Sequence, residues 1–209
     1  MHRTKHLGIL VAAAVLAVPA WAMADEQDFR VRRDGGSRVT FVSDAMLETI
    51  NGVSSQVEGT LRVDPNDLSN ASGKLQVPVS SIRTGIELRD QHLQSEKWLD
   101  AAKHPNVVFE ITGVQGAKKL EPGKTASLKI RGKLSVHGVT RNVVAEARAR
   151  YYPLTDKMRE TPGIDGDVIR GKARFKIELS DYGVDIPTAV RLKVSNEITV
   201  NINLRAIAE

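Results

Sequence analysis

The sequence predicts an all-β protein built as one antiparallel sheet of eight strands. Three observations predict it. Eight segments alternate apolar and polar residues with a period of two, as strands with one buried and one wet face do. Turn-forming residues join several of them. Only one stretch, Thr84 to Lys103, breaks the alternation with a pattern of its own.

The segments follow in order. Val39 and Phe41 alternate with Arg38 and Thr40, and Val57, Gly59, Leu61 and Val63 alternate with Gln56, Glu58, Thr60 and Arg62. The third segment carries Leu75, Val77 and Val79, and the fourth Val107, Phe109 and Ile111. Leu128, Ile130, Leu134 and Val136 form the fifth, and Ala145, Ala147, Ala149 and Tyr151 the sixth. Phe175, Ile177 and Leu179 make the seventh, and Ile198, Val200, Ile202 and Leu204 the eighth. His137-Gly138 reads as a tight hairpin, Pro65-Asn66-Asp67 and Pro122-Gly123 as turns, and Pro153 to Gly166 as a long loop. Between the third and fourth strands, Thr84-Gly85-Ile86-Glu87 fits a capping box that starts a short helix. Ser95 offers a second start before Trp98-Leu99, and Pro105 ends the insertion.

Residues 1–24 read as a removable signal segment. Arg3 and Lys5 precede an apolar run from Leu7 to Val18, and Ala22-Met23-Ala24 offers a cleavage site. The run is too short to cross a bilayer, which takes about 20 residues. Cleavage leaves Asp25 to Glu209, a length that suffices for one domain. The whole chain has 30 Lys and Arg against 25 Asp and Glu, and two of those cations, Arg3 and Lys5, leave with the segment. The remaining positive excess is too weak to argue for nucleic acid. Cysteine is absent, which excludes disulfides, thiolate metal sites and Cys nucleophiles.

Eight strands with one apolar face form either a sandwich or a barrel, and closure removes the exposed edges. A closed barrel of eight strands can hold one small ligand. Ala145, Ala147 and Ala149 succeed one another on an inward face, with Gly59 and Ala173 also inward. Two readings stand: small residues leave a lumen, or they pack against bulk from another layer. The outer face carries Lys129, Arg131, Lys133, Arg148, Arg150, Lys172, Arg174 and Lys176. That face either docks on an anionic membrane or is a solvated surface that blunts aggregation.

Chemical sites are sparse. His92, His104 and His137 are spaced too widely for a local metal site. Ser135, His137 and Asp181 make a triad on paper, but no Gly-x-Ser-x-Gly turn surrounds any Ser. Asp165 and Asp167 lie in a Gly-rich loop that does not match an EF-hand. Arg89 and Asp90, adjacent on the predicted helix, point in different directions. They read as tethers for the barrel's end, with gating of a lumen as the alternative.

Motifs add a resemblance. Thr84-Gly85, Arg89-Asp90-Gln91-His92-Leu93, Trp98-Leu99-Asp100-Ala101 and His104-Pro105-Asn106-Val107-Val108-Phe109 follow the pattern of the YceI-like proteins. Gly132-Lys133-Leu134-Ser135-Val136-His137-Gly138-Val139-Thr140-Arg141 resembles that family's second signature, and Ser180-Asp181-Tyr182-Gly183 its third. Glu178-Leu179 stand where the family often carries Asp-Arg. The resemblance implies an eight-stranded antiparallel up-and-down, lipocalin-like barrel with a short helical insertion between strands 3 and 4. It implies an exported, periplasmic or secreted protein that holds a long isoprenoid lipid, isoprenoid quinone or similar amphiphile in its lumen, with no other cofactor. Some members pair as homodimers.

The expected ligand wall comprises Phe41, Leu61, Leu75, Val77, Phe109, Ala145, Ala147, Phe175 and Ile177, with Leu93 and Trp98 from the insertion. The leading expectation is a non-enzymatic carrier, for transport, storage or a stress response, that touches membranes transiently. Its rivals are a lipid-modifying hydrolase or isomerase, and a stress-linked interaction protein on a packed scaffold.

Overall fold

A computed structural model describes residues 26–33 and 35–209. The predicted signal segment lies outside the described residues. Ten strands are present among the described residues: β1 (Gln27–Val31), β2 (Arg38–Asp44), β3 (Thr49–Ser54), β4 (Glu58–Asp64), β5 (Asp67–Pro78), β6 (Asn106–Gly116), β7 (Ala126–Val136), β8 (Val139–Tyr152), β9 (Val168–Glu178) and β10 (Glu197–Ala208). From β4 to β10, each strand pairs antiparallel with the next in sequence, and β1 pairs with both β4 and β10, which closes the sheet.

Ten strands and eight predicted ones are the same barrel. β1 and β2 lie along the same side of β10, through Arg30↔Ile207 and Arg38↔Asn203. They are two pieces of one stave, and β3 and β4 are two pieces of the next. The first break follows from local chemistry. Gly36 takes φ 84°, a conformation that a side chain disfavours. The buried Ser37 hydroxyl then donates to the Arg205 carbonyl at 3.2 Å and accepts from the Arg205 amide at 3.0 Å. A side chain so replaces the missing ladder partner of β10. At the second break, the Ser54 hydroxyl accepts from the Gln56 amide and shares a 2.7 Å hydrogen bond with Ser81. Beyond it, β3 meets Arg83 through Val53. There the wall parts, and the insertion fills in.

The breaks divide the barrel into two halves. In the closed half, Phe29, Val31, Leu61, Leu75, Tyr151 and Ala206 belong to one buried cluster. Ala147 and Ala149 belong to it as well, Ala145 joins a second cluster, and none of the three lines the cavity described below. Small side chains on β8 share this interior with an aromatic ring from β1 and another from β8 itself. Packed interiors fill space across staves, not along one. A second cluster, with Phe109, Leu134, Ala145 and Phe175, belongs to the open half.

The insertion is one helix, α1 (Glu87–Gln94), followed by hydrogen-bonded turns. The expected capping box is not formed: no side chain caps α1, and Ile86 stands at the N-cap. Thr84 is instead bound from inside the helix, its amide and hydroxyl both donating to Asp90 Oδ1 at 2.7 and 2.6 Å. The predicted loop after β8 contains a four-residue helix, α2 (Asp156–Arg159), started by the Thr155 hydroxyl accepting from the Met158 amide. The basic outer face is exposed as expected, but partly compensated. Lys129 and Arg174 each stand opposite Glu146, and Lys176 pairs with Glu197 at 2.7 Å. Arg148 faces Lys172 and Arg150 faces Arg170 without an acid between them.

Candidate functional site: an apolar cavity in the open half

The open half contains a cavity of about 450 Å³. One buried water needs only about 10–15 Å³, so this is no packing defect, and it falls within the size range of small-molecule sites. Its wall is almost wholly apolar and comes from several staves: Phe41 on β2, Ile50 on β3, Val77 on β5, Leu134 on β7, Phe175 on β9 and Val200 on β10.

Two rings of the open half lie over glycines, and one of them, Phe41, is part of the cavity wall. A Cβ on Gly52 would stand 2.0 Å from the Phe41 ring, its register partner across β2 and β3. A Cβ on Gly132 would meet the Phe109 ring at 2.6 Å. Phe109 in turn stacks on Phe175, with ring centres 6.1 Å apart. Glycine here supplies absence of bulk, which lets an aromatic ring become part of the sheet surface.

Of the expected wall residues, Phe41, Val77, Leu93, Trp98, Phe175 and Ile177 line the cavity. Leu61, Leu75 and Ala147 lie in the closed half, and Phe109 and Ala145 lie in the open-half cluster without lining the cavity. Sequence reasoning missed the segment Val184–Val194, which contributes Val184, Val190, Lys193 and Val194. It has no periodicity that would have marked it. Ile50 and Gly52 of β3 were also missed, although Ile50, Gly52 and Ser54 do alternate with exposed or half-buried neighbours.

The polar groups at the cavity are mostly occupied. The Ser43 hydroxyl accepts from the Ser195 amide at 2.9 Å, and Thr84 is held by Asp90. Arg89 Nη1 donates to Glu48 Oε1 at 2.6 Å, which ties α1 to the β2–β3 hairpin. Arg89 therefore tethers the helix, while its buried Nε has no partner. Leu179 lines the cavity as an apolar group.

The remaining motif residues serve the frame. His137 (φ 50°) and Gly138 (φ 77°) form the two-residue turn between β7 and β8, both left-handed as such hairpins require. His104 packs over Gly138 and meets His137 edge-on at 5.8 Å, whereas His92 lies on α1 at the cavity. The paper triad is not assembled: the Ser135 hydroxyl bonds Thr140, and His137 Nδ1 bonds the Tyr182 carbonyl at 3.2 Å. Asp167 is taken by the Tyr151 hydroxyl and the Leu154 amide, while Asp165 lies 3.7 Å from Arg32. Ser180-Asp181-Tyr182-Gly183 is a 3-10 turn closed by Gly183 at φ 71°. Burial, and next the Asp181 charge, push the Tyr182 phenol up to about 12, against the opposing effect of Arg141.

A closed antiparallel barrel with an apolar cavity at one end is the architecture of barrels that have room for a ligand. The model of the YceI-like domain matches residues 32–206, and the chain belongs to that family. A relative named UPF0312 protein from Azotobacter vinelandii is 29% identical over 146 residues, 69% of this chain and 72% of its own. A Vibrio cholerae protein of the same designation is 25% identical over 187 residues, 87% of this chain and 89% of its own. Among solved structures, a polyisoprenoid binding domain from Saccharophagus degradans shares the fold with TM-score 0.65 at 14% identity, covering 88% of this chain and 99% of that one. Burkholderia cenocepacia BcnA does so with TM-score 0.62 at 17% identity, covering 81% and 95%.

Proposed function

We propose that this protein is an exported, non-enzymatic carrier that takes the tail of an isoprenoid lipid or isoprenoid quinone into the open half of its barrel. The observation that carries this reading is the cavity of about 450 Å³ with its apolar wall. The Saccharophagus domain of the same fold, described as polyisoprenoid binding, supports the ligand class. The sequence pattern of residues 1–24 supports export. The engaged hydroxyls and carboxylates around the cavity favour binding over catalysis, since a lipid-modifying enzyme needs a free convergent group at the reacting atom.

The energetics suit exchange. Burial from water gains about 0.8 kcal/mol per CH2. A long polyprenyl tail would then formally exceed the practical affinity limit of about 20 kcal/mol. The ligand, however, starts in a bilayer that is already apolar. Bilayer-to-cavity transfer is close to neutral, and a carrier that loads and unloads needs that balance. Solvent extraction of protein purified without detergent, followed by mass spectrometry, should yield one isoprenoid amphiphile per chain. An extract with no stoichiometric lipid contradicts the reading.

A further inference from the structure

Six large apolar side chains are exposed among the described residues: Met46 (82%), Leu47 (64%), Ile86 (51%), Leu88 (60%), Val144 (55%) and Leu192 (53%). Five of them belong to three segments that meet at the cavity. Ile86 and Leu88 line it directly, at the start of α1. Met46 and Leu47 form the tip of the β2–β3 hairpin, whose next residue, Glu48, also lines it. Leu192 follows Val190 and precedes Lys193, both lining residues, and its carbonyl accepts from the Leu47 amide at 2.9 Å. The Arg89–Glu48 ion pair joins the hairpin to α1. So hydrogen bonds and an ion pair hold the three segments together, yet five of their large apolar side chains are more than half exposed.

Exposed large apolar groups are ordinary when scattered and informative when gathered. Only Val144, on the outer face of β8, stands apart. The gathered five line or adjoin the rim of the apolar cavity. The surrounding charge favours one occupant. Exposed Arg191 and Lys193 flank Leu192, and Arg191 Nε is held by the Ile186 carbonyl. On the same rim Glu48 is neutralised by Arg89, while two exposed acids remain: Glu87, beside Ile86 and Leu88, and Asp44, at the base of the hairpin, where it accepts from the Thr49 hydroxyl. An apolar ring with a cationic flank matches a bilayer surface containing anionic lipid: side chains enter the headgroup boundary while Arg and Lys meet phosphates.

We infer that the cavity mouth docks on an anionic bilayer through Met46, Leu47, Ile86, Leu88 and Leu192, with Arg191 and Lys193 at the phosphates. This differs from docking by the basic outer face, which would hold the opening away from the lipid. The inference rests on the carrier reading for its purpose, but not for its test.

The test is co-sedimentation of the chain from Asp25 onward with vesicles of phosphatidylethanolamine and phosphatidylglycerol. Binding should be saturable and weaken when phosphatidylglycerol is replaced by phosphatidylcholine. Met46→Asp with Leu192→Asp, both on exposed residues outside the cavity wall, should weaken binding at least about tenfold. Melting temperature should be unchanged, which excludes misfolding. Val144→Asp, and Arg148→Ser with Lys172→Ser, should bind as the parent does. No vesicle binding by the parent, or loss in the basic-face variant with none in the ring variant, overturns the inference. So does a ring variant that converts a dimer to a monomer in sedimentation, since the ring would then cover a second copy. Lipid extracted from the same preparations separates the two claims: an empty cavity with intact docking contradicts the carrier, and a filled cavity without docking contradicts only the mouth.

Discussion

The two halves of the barrel are made of the same staves yet end differently. β5, β7, β8, β9 and β10 run through both. In the closed half, β1 brings the fully buried Phe29 into the centre beside Leu61 and Tyr151, and the interior is filled. In the open half, Phe41 lies against the wall over Gly52, and space remains. Inward-pointing residues alone therefore do not make a core or a cavity. The halves differ in where their rings sit: Phe29 is fully buried within the closed-half cluster, whereas Phe41 lies over Gly52 at the cavity.

That difference can be broken by mutation, and the largest effect should come from the filled side. Phe29→Ala should cost about 3–5 kcal/mol, because a fully buried ring leaves a void. In a domain of this size the melting temperature should fall by about 6–20 °C. Phe41→Ala should cost about 1–2 kcal/mol, since its ring already borders empty space, while lipid recovery on extraction should drop. Equal costs at the two positions would mean that the halves do not differ.

Gly52→Val attacks the open half from the other direction. A side chain there has nowhere to go except through the Phe41 ring, which must swing into the cavity. Lipid recovery should be lost, at an overpacking cost of about 1–3 kcal/mol by thermal unfolding. Full recovery from this variant would show that Phe41 is not part of the binding surface.

The seam between the halves offers a smaller test. Ser37→Ala removes both hydrogen bonds to Arg205 and leaves backbone groups of β10 unpaired, for about 1–2 kcal/mol. Amide exchange should quicken at Arg205 before it does at Phe175. The smallest effect is alkaline. The Tyr182 phenol is raised from the usual 10.0 to about 12, so its contribution to stability is complete below the lower value and fades as pH rises through the higher one. Tyr182→Phe should flatten that limb of the denaturation profile relative to the parent, and an unchanged limb would place the cause elsewhere.

The fold was legible where alternation ran long. The strands from β5 to β10 are the longest of the barrel, and their period of two survives on both sides of each turn. Neither β1 nor β3 was read, because each is short and ends at a break, where Gly36, Ser37 and Ser54 act through distant partners. The candidate site was half legible. Phe41, Val77, Phe175 and Ile177 follow from strand periodicity, and Leu93 and Trp98 from the insertion. The alanines of β8 left two readings open, because residue size on one stave says nothing about what faces it across the barrel, and they lie in the buried clusters outside the cavity wall. Val184–Val194 carries no period at all; it joins the wall through irregular turns, such as the Val194 amide bonding the Val190 carbonyl.

Trp98 offers the most direct test of the central claim. It lines the cavity, and the only other tryptophan, Trp21, falls in the predicted signal segment. The chain from Asp25 onward therefore reports its cavity by intrinsic fluorescence. Titrating lipid-stripped protein with an isoprenoid quinone should quench that emission saturably at one molecule per chain, and Gly52→Val should abolish the saturable phase. Quenching that never saturates, or that survives unchanged in the variant, would contradict a tail-binding cavity in this half of the barrel.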